Sequence, residues 1–113
     1  VTETHPNGTR DAPRGTANTI LEEIEAGRGE HLEEVSGREG LQPREAGEVG
    51  VHVRRAGDIR GEHEIMLAGN DEAVTLTHRA EDRGVFAAGA IDAAVWLSDQ
   101  DPGWYEFADV IDS

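Results

Sequence analysis

A chain of 113 residues is long enough for one domain and too short for two. Its 24 acidic and ten basic residues leave a formal net charge of -14, which argues against nucleic-acid phosphates and anionic membranes as partners. There is no cysteine and no run near the ~20 apolar residues of a spanning helix, so disulfides, thiolate chemistry and a membrane helix are excluded as well.

All ten basic residues are Arg, and Lys is absent. An acidic, lysine-free surface is expected of a protein from a salt-loving organism, where salt screens the self-repulsion of the fold. Val1–Arg10 has neither the basic nor the apolar segment of a signal peptide, and a cytoplasmic location is expected. The chain opens on Val1 without Met, as a fragment would. Hydrophobic residues make up 36%, low enough that an oligomeric interface is expected to supply part of the burial.

Along the chain, Val1–Thr4 alternates β-branched and polar residues and predicts a strand. His5–Thr9 contains Pro6 and the Asn7-Gly8 pair and predicts a turn. Ile20, Leu21 and Ile24 among Glu22, Glu23 and Glu25 predict a helix over Ala17–Ala26, with Thr16 as N-cap and Gly27 and Gly29 ending it. Arg28–Gly47 reads as a loop, with a short regular piece near Leu32 and Val35. Val49, Val51 and Val53 predict one strand over Val49–Arg54. A turn over Ala56–Gly61 leads to a strand at Glu62–Ala68, a hairpin turn at Gly69–Asp71 and a strand at Glu72–His78. A helix is expected over Arg83–Leu97, with Phe86, Ala90, Ala93, Ala94 and Leu97 as its stripe. Asp101-Pro102-Gly103 stops it, and the apolar residues of Trp104–Ile111 predict a docked tail. This order gives an α+β fold: a single mixed or antiparallel sheet covered by helices on one face. The open face is free for sheet-on-sheet packing between subunits.

Three stretches carry a family resemblance. Glu3-Thr4-His5-Pro6-Asn7-Gly8-Thr9-Arg10-Asp11-Ala12-Pro13-Arg14-Gly15-Thr16-Ala17 resembles the signature E-x-H-H-x-x-K-x-D-A-P-S-G-T-A of the 4-hydroxy-tetrahydrodipicolinate reductase family. Arg55–His63 is similar to its R-x-G-x-I-x-G-E-H. Thr77–Leu97 is similar to T-H-x-A-x-x-R-x-x-F-A-x-G-A-x-x-A-x-W-L. The resemblance covers Glu3–Ile111 and implies the C-terminal, substrate-binding and tetramer-forming domain of an NADPH- or NADH-dependent reductase in the diaminopimelate route to lysine. Residues 1–113 would then be that domain, with the N-terminal dinucleotide-binding domain absent: no G-x-G-x-x-G loop joins a strand to a helix here.

The substrate implied is a small ring with two carboxylates, whose reduction needs a hydride, a proton and N–H or cationic partners for the carboxylates. His5 matches the family's acid–base His, while its Lys position is Thr9 and its second, substrate-holding His is Pro6. Neither Pro6 nor Thr9 can replace the missing imidazole or ammonium. The family's Ser is Arg14; Gly15 and Thr16 are intact, and their N–H groups at a helix start would hold a carboxylate, with Arg10 and Arg14 as nearby cations. Phe86 is the candidate for nucleotide contact. No metal set is expected: His52, His63 and His78 lie on strands in structural or interface roles, and Gly61-Glu62-His63 reads as structural. A homotetramer of reductase domains is the first reading; a disabled oligomerisation or dicarboxylate-binding module is the alternative.

Overall fold

The computed structural model describes residues 1–113, and the chain forms two compact units, Val1–Ala80 and Glu81–Ser113. In the first unit, β1 (Thr2–His5) leads to α1 (Gly15–Arg28), β2 (Glu33–Val35), β3 (Glu48–Gly50), β4 (His52–Arg55), β5 (Gly61–Ala68) and β6 (Ala73–Ala80). A four-stranded mixed sheet has the order β4-β1-β5-β6, and a two-stranded sheet pairs β2 with β3. The α+β architecture is as the residue patterns indicated, with the small parallel β2–β3 sheet in addition.

Three local expectations are corrected. The helix begins at Gly15, two residues before Ala17, and its N-cap is Arg14 rather than Thr16. The reason is tertiary: the Glu3 carboxylate on β1 accepts the Arg14 backbone N–H at 3.1 Å and so fixes where the helix starts. Gly27 lies inside the helix; Gly29, at φ 72, is the left-handed residue that ends it. The single strand expected over Val49–Arg54 is two. Its first part pairs in parallel with β2 and its second in parallel with β1. Val51 sits between them, 4% exposed, and donates its N–H to Val35, while the next N–H, of His52, goes to Val1. The alternating valines were legible, but the exchange of partner between them was not.

The apolar core of this unit is small: Ala17 and Leu21 of α1, Leu32, Val51 and Ala80. Polar groups complete it. Pairing places Val53, Glu3, His63 and His78 in one row across the four strands, with their side chains on the same face. The next row, on the opposite face, runs Arg54, Thr4, Glu62, Arg79. Arg54 donates to Thr4 Oγ1 at 3.0 Å, and Arg79 pairs with Glu62 Oε2 at 2.7 Å. This ladder gives the buried Thr4 (2% exposed) and Glu62 (9%) their side-chain hydrogen-bond partners.

The second unit holds α2 (Gly84–Ser98) and α3 (Phe107–Ile111). Asp82 Oδ1 accepts the Gly84 N–H at the start of α2, and Glu106 and Asp109 form a capping box on α3. The apolar stripe expected on α2 is present but buries none of its residues; it lines an open groove of about 620 Å³ with Phe107. The tail docks in part. The Tyr105 ring stands edge-on to Trp96 with centroids 5.4 Å apart, and its hydroxyl donates to the Asp101 carbonyl. Trp104, expected to dock with it, is 91% exposed.

Candidate functional site

The site is built on β1. Residues two apart on a strand share a face, so Glu3 and His5 project together, and His63 joins them as the cross-strand partner of Glu3. Glu3 is fully buried, and its Oε2 lies 3.4 Å from His5 Nε2 and 3.8 Å from His63 Nε2. The two imidazoles stand nearly edge-to-face, with centroids 5.5 Å apart. The same carboxylate receives the Arg14 N–H, so Glu3 lies between His5 and the start of α1, where Gly15 and Thr16 stand exposed. The first N–H groups of a helix have no acceptor within it and favour an anion.

The Pro6–Thr9 segment is held by backbone bonds. Asn7 N–H donates to Gly57, Thr9 N–H to Pro6, and Ala56 N–H to His5. Arg55, the cross-strand partner of His5, reaches over this segment: its Nε donates to the Thr9 carbonyl at 2.9 Å and a terminal nitrogen to the Asp11 carbonyl at 2.7 Å. The loop is thus fixed through its backbone groups, and the half-buried side chains of Pro6 and Thr9 make none of these bonds. Arg14, at the N-cap, makes no side-chain cap bond; its guanidinium is 3.7 Å from Asp11, and both are well exposed.

Of the residues singled out from sequence, the structure brings His5 to the α1 start through Glu3 and sets Pro6 and Thr9 in the adjoining turn. Phe86 lies in the second unit, 58% exposed in the α2 groove. Glu3 and His63 were missed. Both were quoted within motifs, Glu3 without a role and His63 as a structural strand residue, because only the sheet register shows that they meet. Among the strand histidines, His63 converges with His5 rather than with His52; His78 is its neighbour on β6.

Burial, followed by the repulsion of His5, holds the His63 imidazole below its ordinary value of 6.5; Glu3 opposes this and His78 adds to it. The unfolded chain therefore takes up a proton at this residue before the folded chain does. The resulting stability is fully present above about pH 6.5 and is lost as pH falls through the lower folded value. Urea midpoints between about pH 8 and pH 5 are expected to fall on acidification. They should fall less in His63→Gln.

An α+β domain with a buried carboxylate–imidazole cluster beside a helix N-terminus is the class of protein defined so far. The family model described as dihydrodipicolinate reductase, C-terminus, matches residues 1–111, and the chain belongs to that family. It is 63% identical over 111 residues to the 4-hydroxy-tetrahydrodipicolinate reductase of Natronomonas pharaonis, covering 98% of this chain and 45% of the relative. The enzyme of the same name from Haloarcula marismortui is also 63% identical, over 98% of this chain and 44% of its own length. Both relatives come from halophilic archaea. Among solved structures, the dipicolinate-bound dihydrodipicolinate reductase of Paenisporosarcina sp. TG-14 is similar, with a TM-score of 0.62 and 26% identity over 80% of this chain and 36% of that one. The chain spans less than half the length of these curated relatives.

Proposed function

We propose that this chain is the substrate-binding and oligomerising part of a 4-hydroxy-tetrahydrodipicolinate reductase, acting in the diaminopimelate route to lysine in the cytoplasm of a halophile. The observation that carries the reading is the link from His5 through Glu3 to the start of α1, which sets an imidazole beside free N–H donors. The N–H groups of Gly15 and Thr16 hold one carboxylate of the substrate, aided by Arg10 or Arg14. His5 delivers the proton to the ring carbon next to the one reduced. Bound NADPH or NADH would supply the hydride. No glycine-rich loop leads from a strand into a helix in this chain, so its residues offer no pyrophosphate cradle. The nucleotide is therefore assigned mainly to a dinucleotide-binding domain outside it, with Phe86 as the contact from this side.

A second reading rests on Pro6 and Thr9. With no imidazole at the first position and no ammonium at the second, the domain binds a dicarboxylate or assembles without supporting turnover. Calorimetry with pyridine-2,6-dicarboxylate in molar salt tests the site, the expected result being weak but measurable binding. A chain that is folded and gives no heat, even after the motif is restored, would remove the substrate-binding assignment.

Assembly is proposed through the open sheet face that carries the Arg54–Thr4–Glu62–Arg79 row, packed against the same face of other copies as a homotetramer. Its exposed Thr75, Thr77 and Met66 give a mixed polar and apolar surface of the kind interfaces use. Light scattering in molar salt is expected to give a mass near four subunits. A monomer at every salt and protein concentration would overturn this.

A further inference from the structure

The cluster under His5 has a feature that substrate binding does not use. Both His5 Nε2 and His63 Nε2 are buried and lack a hydrogen-bond partner. Buried polar atoms without partners are rare and call for a physical reason. Glu3 Oε2 is 3.4 Å from the first and 3.8 Å from the second, and the three ligand atoms lie within 4.8 Å of one another.

We propose that Glu3, His5 and His63 form a three-ligand site for a divalent transition-metal ion of the Zn2+ type. Two imidazoles and a carboxylate suit Zn2+, Co2+ or Ni2+ and not the hard ions Ca2+ and Mg2+. Ligand atoms ~2.0–2.1 Å from a tetrahedral Zn2+ stand about 3.3 Å apart. The Glu3–His5 and Glu3–His63 separations of 3.4 and 3.8 Å come within a few tenths of an ångström of that. All three ligands are mounted on paired strands: Glu3 and His5 two apart on β1, and His63 opposite Glu3 on β5. This is the rigid support that a preformed site needs. The second carboxylate oxygen accepts the Arg14 N–H at 3.1 Å, an outer bond of the kind that orients a ligating carboxylate. Three protein ligands leave a fourth position for water or an anion. The metal would occupy the His5 lone pair and so block that residue as a proton donor. Metal occupancy and proton delivery by His5 thus exclude one another, and because metal binding is measured without substrate, its failure is distinguishable from failure of the dicarboxylate reading.

The test is calorimetry of the whole chain, stripped with chelator, titrated with Zn2+ and separately with Ca2+ in molar KCl. One Zn2+ per chain is expected, bound far more tightly than Ca2+. His63→Gln and His5→Gln should each weaken Zn2+ by more than about 100-fold, beyond the loss typical of an outer-shell partner. His78→Gln, one strand further on, should leave it unchanged. Circular dichroism establishes that each variant is folded. NMR of the unsubstituted chain removes the dependence on variants: Zn2+ should shift the ring signals of His5 and His63 and leave His31, His52 and His78 in place. Three results would each overturn the site: no Zn2+ heat, equal Zn2+ and Ca2+ affinity as for adventitious binding to surface carboxylates, or shifts confined to the other histidines. In those cases the cluster is a proton-sharing network and not a metal centre.

Discussion

Restoring the signature by Pro6→His, Thr9→Lys and Arg14→Ser is expected to tighten pyridine-2,6-dicarboxylate by about 100-fold or more. Each charge-assisted hydrogen bond contributes roughly 1.5–3 kcal/mol, and the change adds an imidazole and an ammonium. The backbone is already prepared for them. Arg55 holds the segment through the Thr9 and Asp11 carbonyls, so new side chains at positions 6 and 9 do not disturb its path. Position 14 is the N-cap of α1, where Arg makes no capping bond. Ser there can accept an N–H from the first turn, worth about 1 kcal/mol, so the restored chain should also be the more stable. If the two chains bind equally, the helix N–H groups and the nearby Arg side chains suffice by themselves. The three departures are then neutral for binding.

The second large effect is on stability. Glu3→Ala is expected to lower the unfolding free energy by about 3 kcal/mol. It leaves the Arg14 N–H without its acceptor and opens a cavity in the packed row between β4 and β5. Glu3→Gln, which keeps the shape, the acceptor for Arg14 and a donor for one imidazole, should cost no more than about 1 kcal/mol. Urea melts in molar salt separate the two. Equal losses would mean that the charge of Glu3, and not its hydrogen bonding and volume, supports the fold.

The sequence pattern carried the hairpin, the long helices and the position of His5, because period and turn residues report local geometry. The cluster itself was less accessible. Glu3 and His63 are 60 positions apart and meet only through the antiparallel register of β1 and β5. Arg55 meets the Thr9 loop because it faces His5 across a parallel pair. Each of the first two family motifs reads as a separate run of residues; in the fold, the second holds the first in place. The N-cap was misplaced for a related reason: local preference favoured Thr16, and a side chain from a distant strand overrode it. On α2 the apolar stripe was legible, but the chain does not bury it.

The central position of β1 bears on how the chain acquires its structure. Its two neighbours, β4 and β5, lie about fifty and sixty residues downstream, as the Thr2↔His52 and Thr2↔Glu64 pairs show. Closing loops of that size must precede any reward from pairing, and folding slows as such distant contacts dominate. During synthesis β1 emerges before either neighbour and has no strand to pair with until β4 is made, while the β5–β6 hairpin can close on itself. The first strand of the chain is thus secured only by distant partners, and the cluster of Glu3, His5 and His63 forms only once β5 has joined β1.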